Sequence, residues 1–501
     1  MSEKSARADV LTILHLSDLH RSQNAPVSND MLLSCLLLDL EKQQHENPAI
    51  HKCDVVVVTG DLIGGAPIDD TNVSETLAKQ YQEAKGFLIQ LSKELFGGDR
   101  SRVFVMPGNH DVCWQLCKQS MEYVKANCRR NNSELLGVAN SPYRFSLDDL
   151  QLYRIKDFDL YKSRLKYFKE FFDDFYKMQG YKFSLENNEQ AVNFVTSDRR
   201  AMFTGFSSLY GNDCYDRRGR IFTDNVARNG LRIRESALND IPLKIAFWHH
   251  GLESSEYNID HLNRKEVLPL LIDRGYVLGL HGHQHRSSII SFAYHLDPKR
   301  FMPIISAGSL CADPQAIPLG YRRQYNLIEV DQTKFKIKIH VREWFSNTSL
   351  TSAKLQEFGG KSWYEMDLPL LREIAQRREK VLYEISPSLE RAELYMREKK
   401  HNEALDLLTE LPHDIPIVNR LLIECLYVLG SWDDLIGLIQ KPKNPNELGV
   451  IVDALCKKKE FDIADQTILE CKSDTLSYDK GFIDALEKRV KAERGVAIRR
   501  G

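Results

Sequence analysis

Along the N-terminal part of the chain, apolar runs alternate with longer segments of mixed character. The runs occupy residues 10–16, 54–58, 102–106, 243–248 and 276–280, and each is short enough to be a strand. The run at 54–58 is β-branched, which is typical of a strand that is covered on both faces. Between them, residues 30–43 and 73–95 have apolar positions at helical spacing. The alternation predicts a largely parallel α/β sheet, with functional groups gathered at the carboxyl ends of its strands.

The alternation breaks between about residues 112 and 195. Segments here, such as 148–176, are helical in pattern, rich in Phe and Tyr, and carry many Lys and Arg residues. This pattern predicts a helical insertion within the α/β domain. Farther along, segments 325–331 and 335–341 alternate apolar and polar residues, which predicts a β-hairpin.

From about residue 368 the pattern is helical almost to the end of the chain. Its turns are predicted at 399–401, 430–431 and 457–460. Paired helices at this spacing resemble a small solenoid of the tetratricopeptide kind. We therefore expect an α/β domain over residues 1–350 and a smaller all-α helical-repeat domain over residues 366–501. The repeats would bind a partner protein through a concave surface, or they would cap the first domain or form a dimer.

Length and composition narrow the class of protein. A chain of 501 residues is long enough for more than one domain, and its net charge of -2 gives no global basic field for nucleic-acid binding. A local basic groove remains compatible with that charge. The ten cysteines include no CxxC pair, which favours reduced thiols in the cytoplasm. The first ten residues lack an apolar signal core, and the apolar stretch at 31–40 is too short to span a membrane.

Polar motifs follow the apolar runs where the chain must leave the sheet. They are Asp18-Leu19-His20, Gly60-Asp61, Gly108-Asn109-His110-Asp111, His249-His250-Gly251 and Gly282-His283-Gln284-His285. Together they supply carboxylates, imidazoles and one amide, which is the ligand set of a two-metal hydrolytic site. Two ions about 3.5–4 Å apart need a bridging carboxylate, and Asp61 is the candidate because Gly60 leaves room beside it. Each motif alone is common, but their joint occurrence at strand ends predicts a metal centre.

Residues from about 12 to 341 resemble the calcineurin-like metallophosphoesterase superfamily, whose signature contains these five motifs in this order. The resemblance implies a two-sheet sandwich flanked by helices and a site with two divalent metal ions. By resemblance, one ion would be held by Asp18, His20, Asp61 and His285, and the other by Asp61, Asn109, His249 and His283. It further implies that His110 contacts the phosphate and donates a proton to the leaving oxygen, with Asp111 orienting the His110 ring.

Two features of the site stay open at this stage. Of the adjacent histidines, His249 is the preferred ligand because it directly follows the strand, whereas His250 is a candidate substrate contact or a polar loop residue. Mixed carboxylate and imidazole ligands without thiolate suit Mn, Fe, Zn or Co, and we favour Mn.

The superfamily includes protein phosphatases, cyclic-nucleotide phosphodiesterases and nucleases, so the motifs indicate a reaction class and leave the substrate open. Arg217 and Arg218, in a region rich in aromatic residues, suit a nucleotide or a single strand of nucleic acid. Acidic residues interspersed in the same region favour a solvated surface instead. We therefore expect a phosphodiesterase acting on nucleotides or nucleic acid. The alternatives are a phosphomonoesterase or phosphoprotein phosphatase recruited through the repeats, and a scaffold without activity, which the complete ligand set disfavours.

Overall fold

The chain divides into two compact units in a computed structural model. The structure describes residues 9–46, 52–125, 141–146, 149–253, 260–293, 301–346, 349–355, 358–413, 415–472 and 480–500. The first unit comprises Met1–Leu231 and Ile241–Glu373, and the second comprises Arg232–Asp240 and Ile374–Gly501. All of the β-strands in the described residues belong to the first unit.

Each of the five apolar runs forms a strand, and the described residues contain sixteen strands. They are β1 (Val10–Leu16), β2 (Val55–Thr59), β3 (Val103–Met106), β4 (Met121–Tyr123), β5 (Tyr143–Ser146), β6 (Gln151–Ile155), β7 (Ala191–Val195), β8 (Ala201–Phe206), β9 (Leu243–Phe247), β10 (Tyr276–His281), β11 (Ser288–Ala293), β12 (Phe301–Ser306), β13 (Gln324–Asp331), β14 (Lys336–Ser346), β15 (Ser349–Ser352) and β16 (Trp363–Asp367). The helices among them are α1 (Asn29–Glu46), α2 (Val73–Phe96), α3 (Trp114–Gln119), α4 (Phe158–Lys162), α5 (Lys166–Phe175), α6 (Thr223–Arg234) and α7 (Arg264–Asp273).

Two large mixed sheets form the body of the first unit. The first has the order β15-β14-β13-β1-β2-β3, with β16 also paired to β14, and the second has the order β11-β12-β10-β9-β8-β7. Strands β1, β2 and β3 are parallel, as are β8, β9, β10 and β12, so their carboxyl ends share an edge within each sheet. The antiparallel pairing of β13 with β14 confirms the predicted hairpin.

The two sheets pack face to face through aromatic side chains. The Phe104 ring on β3 lies 4.9 Å from the Phe203 ring and 4.8 Å from the Phe194 ring, which belong to β8 and β7 of the second sheet. Every residue of β2 is buried, as expected for a β-branched strand with both faces covered. The two-sheet sandwich implied by the resemblance is therefore confirmed.

The region predicted to be a helical insertion has mixed secondary structure: α4 and α5 are helical as predicted, but residues 151–155 form a strand instead. A three-stranded antiparallel sheet, in the order β4-β6-β5, precedes helices α4 and α5. Met121 and Ile155 lie opposite each other on β4 and β6 and are both buried, and such cross-strand pairs stabilise a sheet. The alternating run on β6 is only five residues long, too short for its period to reveal a strand. Residues 126–140 and 147–148 of the region lie outside the described residues.

Helices joined by short turns make up the described residues of the C-terminal part of the chain, as predicted. Its helices are α8 (Pro369–Arg397), α9 (His401–Thr409), α10 (Pro416–Leu429), α11 (Trp432–Leu438), α12 (Pro445–Lys457), α13 (Phe461–Lys472) and α14 (Lys480–Arg500). The predicted turns separate α8 from α9, α10 from α11 and α12 from α13. Gly430 ends α10 in the left-handed conformation that favours glycine. Among the described helices, none combines the length and apolarity needed to cross a membrane.

A buried ion pair fastens helix α1 to the first sheet. Asp39 accepts hydrogen bonds from the Tyr325 hydroxyl, at 2.6 Å, and from Nε of Arg342, at 2.8 Å. We expect Asp39→Ala to lower the free energy of unfolding by about 3–5 kcal/mol, because it leaves the Arg342 charge buried and uncompensated. Chemical denaturation would measure the change, with Glu41→Ala, an exposed position on the same helix, as the control. Equal stability of the two variants would contradict the prediction.

Candidate metal centre

The predicted ligands lie in strained loops at the carboxyl ends of the strands. Five of them have a positive φ, a conformation that is uncommon for residues other than glycine. These are Asp18 (52°), His20 (42°), Asp61 (50°), His283 (71°) and His285 (53°). Backbone strain of this kind persists only where the surrounding structure imposes it, and it is frequent at functional sites.

Motif glycines allow the loops to approach each other closely. A Cβ atom at Gly108 would lie 2.1 Å from Oδ1 of Asp61, and one at Gly60 would lie 2.6 Å from Nδ1 of His249. Any larger residue at either position would displace a predicted ligand. The Gly-Asp and Gly-Asn-His-Asp motifs therefore need their glycines for space.

The first group of side chains contains Asp18, His20 and His285. Nε2 of His285 lies 3.1 Å from Oδ1 of Asp18 and 3.4 Å from Nε2 of His20. Nδ1 of His285 lies 2.7 Å from the carbonyl oxygen of Ala316, to which it donates a hydrogen bond. In the neutral imidazole this contact leaves a lone pair on Nε2, and that lone pair faces the carboxylate.

The second group contains His249, Asn109 and His283 beside Asp61. Nε2 of His249 lies 2.9 Å from Oδ1 of Asn109 and 3.2 Å from Oδ2 of Asp61. Nδ1 of His283 lies 3.0 Å from the same Asn109 oxygen. Nδ1 of His249 donates to the carbonyl oxygen of Thr59, at 2.7 Å, so Nε2 is the nitrogen that faces the group.

Asp61 lies between the two groups. Its Oδ2 atom is 3.2 Å from Nε2 of His249 and 3.9 Å from Nε2 of His20. Burial opposes ionisation of Asp61, but the surrounding imidazoles, His249 foremost, hold its pKa well below the usual range. Burial also opposes a charge on His249 and so lowers its pKa, but the Asp61 and Asp18 carboxylates outweigh burial and raise the pKa of His249 to about 9. The two carboxylates therefore favour a positive charge at His249.

The donor set fits a divalent cation. Oδ1 of Asp18 is buried and accepts no hydrogen bond, and the Nε2 atoms of His285 and His249 face carboxylate and amide oxygens. Acceptors that face one another at about 3 Å repel unless a proton or a metal ion lies between them. Three overlapping groups have ligand atoms within 4.8 Å of one another: Asp18, His20 and His285; His20, Asp61 and His110; and Asp18, Asp61 and His249.

The structure separates the roles expected for His110 and Asp111. The His110 side chain is 40% exposed, and its Nε2 lies 4.0 Å from Oδ2 of Asp61. Its Nδ1 lies 2.8 Å from the carbonyl oxygen of Gly64, which orients the ring. The expectation that Asp111 orients His110 is therefore wrong.

Asp111 instead holds the loop together. Its carboxylate accepts hydrogen bonds from the backbone N–H groups of Gly108 and Leu62 and from the Tyr81 hydroxyl. Burial, aided by the nearby Asp61 charge, raises the pKa of Asp111 to about 7. A sequence motif places Asp111 next to His110, but these backbone donors turn its side chain away.

The three residues predicted to contact substrate, His250, Arg217 and Arg218, lie in different surroundings. His250 is fully buried, and its Nδ1 lies 2.8 Å from the Ser208 hydroxyl, so a direct substrate contact is wrong for this residue. Both carboxylate oxygens of Asp216 bind Arg218, at 2.8 and 2.7 Å, which neutralises that arginine. The guanidinium of Arg217 is exposed and lies 5.1 Å from the centre of the Trp114 ring.

One residue of the site was missed by sequence reasoning. Oδ2 of Asp260 lies 2.9 Å from Nε2 of His283, and the Asp260 side chain is buried. This contact directs the other nitrogen, Nδ1, towards Asn109. Asp260 belongs to none of the strand-end motifs, so the sequence offers no signal for it.

Asp260→Asn should weaken metal binding by about 10- to 100-fold, because carboxylates that hydrogen-bond a metal-binding histidine fix its tautomer and raise its basicity. Titration of metal-free protein with Mn²⁺, followed by calorimetry, would measure the affinity. The control is Asp406→Asn, an exposed position in α9. Unchanged affinity in Asp260→Asn would remove Asp260 from the site.

Three solved structures of low sequence identity align with much of the chain. A protein of Thermus thermophilus shares 13% identity over 66% of this chain and 98% of its own, with a TM-score of 0.30. A predicted phosphoesterase of Streptococcus pneumoniae shares 10% identity over 72% and 98%, with a TM-score of 0.22. Vps29 of Chaetomium thermophilum shares 10% identity over 72% and 100%, with a TM-score of 0.24. The comparison with curated proteins found no match.

The family comparison covers the whole site and much of the sandwich. The calcineurin-like phosphoesterase profile matches residues 11–287, more than half of the 501 residues. That range includes all five strand-end motifs and the two groups of side chains described above. The chain therefore belongs to the calcineurin-like phosphoesterase family, whose members are metal-dependent phosphohydrolases.

Proposed function

We propose that the protein hydrolyses a phosphodiester, in a nucleotide or a nucleic acid, with the help of two divalent metal ions. The observation that carries the proposal is the His110 imidazole, which is accessible at the rim of a buried acidic cluster. A phosphodiester has a poor alkoxide leaving group that needs a proton as the bond to phosphorus breaks, and a positioned histidine supplies one. Monoesterases of the family also have the pair that corresponds to His110 and Asp111, so the proposal needs a direct test.

His110 is arranged to deliver a proton from one nitrogen. Its Nδ1–H donates to the Gly64 carbonyl, so Nε2 is the atom that faces the site. The imidazolium form would hold a proton on Nε2 and pass it to the leaving oxygen, and the neutral ring would keep its Nδ1 hydrogen bond.

Seven side chains would hold the metal ions. We assign Asp18, His20, Asp61 and His285 to one ion, and Asp61, Asn109, His249 and His283 to the other. Bound divalent ions act as Lewis acids on a phosphoryl oxygen and lower the pKa of water. With only two carboxylates in the set, two divalent ions leave the centre with a net positive charge, which favours an anionic phosphate ester. Mn is our choice, and Fe, Zn and Co suit the same ligands.

A phosphomonoesterase acting on a phosphoprotein is the second candidate. It would recruit its substrate through a tetratricopeptide-like domain over residues 366–501, joined to the α/β domain of residues 1–350. Exposed apolar side chains on the C-terminal helices support this alternative, among them Tyr383, Val428 and Leu469. A cytoplasmic location is part of both proposals, and the free thiols of Cys35, Cys53, Cys113 and Cys311 are consistent with it.

Paired chromogenic substrates distinguish the two candidates. Metal-free protein would be loaded with Mn, Fe, Zn or Co and assayed with bis(p-nitrophenyl) phosphate and with p-nitrophenyl phosphate. A higher kcat/KM for the diester supports the proposed function, and turnover of the monoester alone transfers support to the second candidate. Absence of turnover in every metal, from protein shown to be folded, overturns both.

A further inference from the structure

We propose that Trp114 and Arg217 form a substrate-binding subsite for the nucleotide on the leaving-group side of the scissile phosphate, in a single strand of nucleic acid. The inference rests on the proposed phosphodiesterase function and adds the substrate class. Stacking on an aromatic ring and pairing with a phosphate are the two contacts by which proteins hold single strands without reading their sequence. The Arg217 guanidinium lies 5.1 Å from the centre of the Trp114 ring, so an aromatic ring and a cation stand at one place.

A buried arginine brings the two residues together. The carbonyl oxygen of Arg164 accepts a hydrogen bond from the backbone N–H of Cys113, the residue before Trp114. The Arg164 guanidinium donates to the carbonyl oxygens of Leu209 and Asn212, at 3.0 and 3.2 Å, in the segment that leads to Arg217. The subsite is therefore built on a fixed support, which lowers the entropic cost of binding.

The loop around Arg217 is ordered by two aspartates. Oδ1 of Asp213 accepts hydrogen bonds from the backbone N–H groups of Tyr215 and Asp216 and so shapes the turn. Asp216 then binds Arg218 and Arg220; although burial opposes its ionisation, these arginines lower its pKa to about 2. Within the described part of the chain, no carboxylate pairs with Arg217. Of the three arginines, it alone presents an uncompensated charge.

Both partners of the subsite are connected to the metal centre. Trp114 follows His110 by four residues, so their Cα atoms are at most about 14 Å apart, the length of a fully extended segment. On the other side, Nδ2 of Asn212 lies 3.4 Å from the Arg218 carbonyl oxygen and 3.4 Å from Nε2 of His250. The His250 ring in turn lies 4.7 Å from the His283 ring. Because Trp114 extends from the His110 loop, we assign the subsite to the side where His110 protonates the leaving oxygen.

Further aromatic rings extend beyond the subsite. The Tyr215 ring, two residues before Arg217, stacks on Tyr153 with ring centroids 4.6 Å apart and planes at 11°. Tyr153 contacts Tyr123 edge to face, at 6.3 Å, and Tyr123 is 49% exposed. These rings provide contacts for additional bases of a longer strand, since base stacking on aromatic side chains tolerates any sequence.

The local charge suits a polyanion, although the whole chain is slightly acidic. The described segments around these rings are 114–125, 141–146, 149–157 and 213–220, and they contain eight Lys and Arg residues against five Asp and Glu residues. Neutralisation of phosphates by the surplus of positive charge gives salt-dependent binding to nucleic acid. We therefore expect affinity for a single strand to fall as the salt concentration rises.

The test compares a short and a long substrate. Arg217→Ala should raise KM for a single-stranded oligonucleotide at least about five-fold more than KM for bis(p-nitrophenyl) phosphate. Tyr123→Ala should weaken binding of the oligonucleotide more than binding of a dinucleotide substrate, because only the longer strand reaches that ring. The matched control is Arg372→Ala, which removes another exposed arginine lying over an aromatic ring, Phe335. Equal changes in KM for the oligonucleotide in Arg217→Ala and Arg372→Ala would overturn the subsite.

A binding measurement separates failure of the subsite from failure of the proposed function. Fluorescence anisotropy with a labelled single-stranded oligonucleotide and Mn would compare His110→Ala protein with and without Arg217→Ala. Weaker binding and a smaller salt dependence in the double variant support the subsite. If the wild-type protein hydrolyses no diester, that result rejects the proposed function and leaves the subsite supported. Hydrolysis of the chromogenic diester, with oligonucleotide binding unaffected by Arg217→Ala, rejects the subsite alone.

Discussion

Asp61→Asn is expected to lower kcat/KM for a chromogenic diester by more than about 100-fold. Changes to residues that merely support metal ligands cost about 10- to 100-fold, and Asp61 lies between both groups of side chains. The substitution keeps the shape of the side chain and removes the buried negative charge that attracts the cations. Loss of one carboxylate therefore affects both predicted ions at once.

Metal analysis of the purified variant provides the direct measurement. Wild-type protein should bind close to two Mn ions per chain, whereas Asp61→Asn should bind fewer under the same dialysis conditions. Asp406→Asn serves as the control again, since it removes a surface carboxylate far from any predicted ligand in sequence. Full metal content together with full activity in Asp61→Asn would refute the assignment of Asp61 as the bridging ligand.

His110→Ala should lower kcat by about 10²- to 10⁴-fold for a dinucleotide, the contribution usual for a positioned general acid. The loss should be at least about ten-fold smaller for a p-nitrophenyl ester, because p-nitrophenolate is stable without a proton. This dependence on the leaving group is specific to proton donation, and a general loss of structure would affect both substrates equally.

The metal content of His110→Ala decides between two roles for this histidine. His110 belongs to one of the three groups that could hold an ion, together with His20 and Asp61. If His110 is a proton donor, the variant keeps the wild-type metal content; a lost ion would make it a ligand instead. His45→Ala, at the exposed end of α1, controls for removal of an imidazole.

Much of the sandwich and of the site could be predicted from local sequence, for a physical reason. A strand covered on both faces must be apolar throughout, so the run of valines in β2 predicts a strand. The polar residues that follow the run mark where the chain leaves the sheet. Since parallel strands share their carboxyl ends, Asp18 and Asp61 had to meet once β1 and β2 paired. Periodicity also placed the helix pairs of the C-terminal region.

Contacts between distant segments could not be predicted in this way. Asp260 meets His283, and the Gly64 carbonyl meets His110, through loop conformations that leave no period in the sequence. The small sheet of β4, β5 and β6 escaped for a related reason, because its strands are short and depend on cross-strand pairs. Asp111 shows the opposite failure: its motif was evident, but backbone donors determine where its carboxylate points.

The left-handed backbone at five predicted ligands has a consequence for the abundance of the protein. Each such conformation costs about 1 kcal/mol for a residue with a Cβ atom, so the loops together cost on the order of 5 kcal/mol. Domains are stable by only about 5–15 kcal/mol, and ions that bind the folded chain alone add to that margin. The supply of metal would then determine what fraction of the protein molecules is folded and escapes degradation. Starvation for the metal would therefore reduce the quantity of the protein as well as its activity.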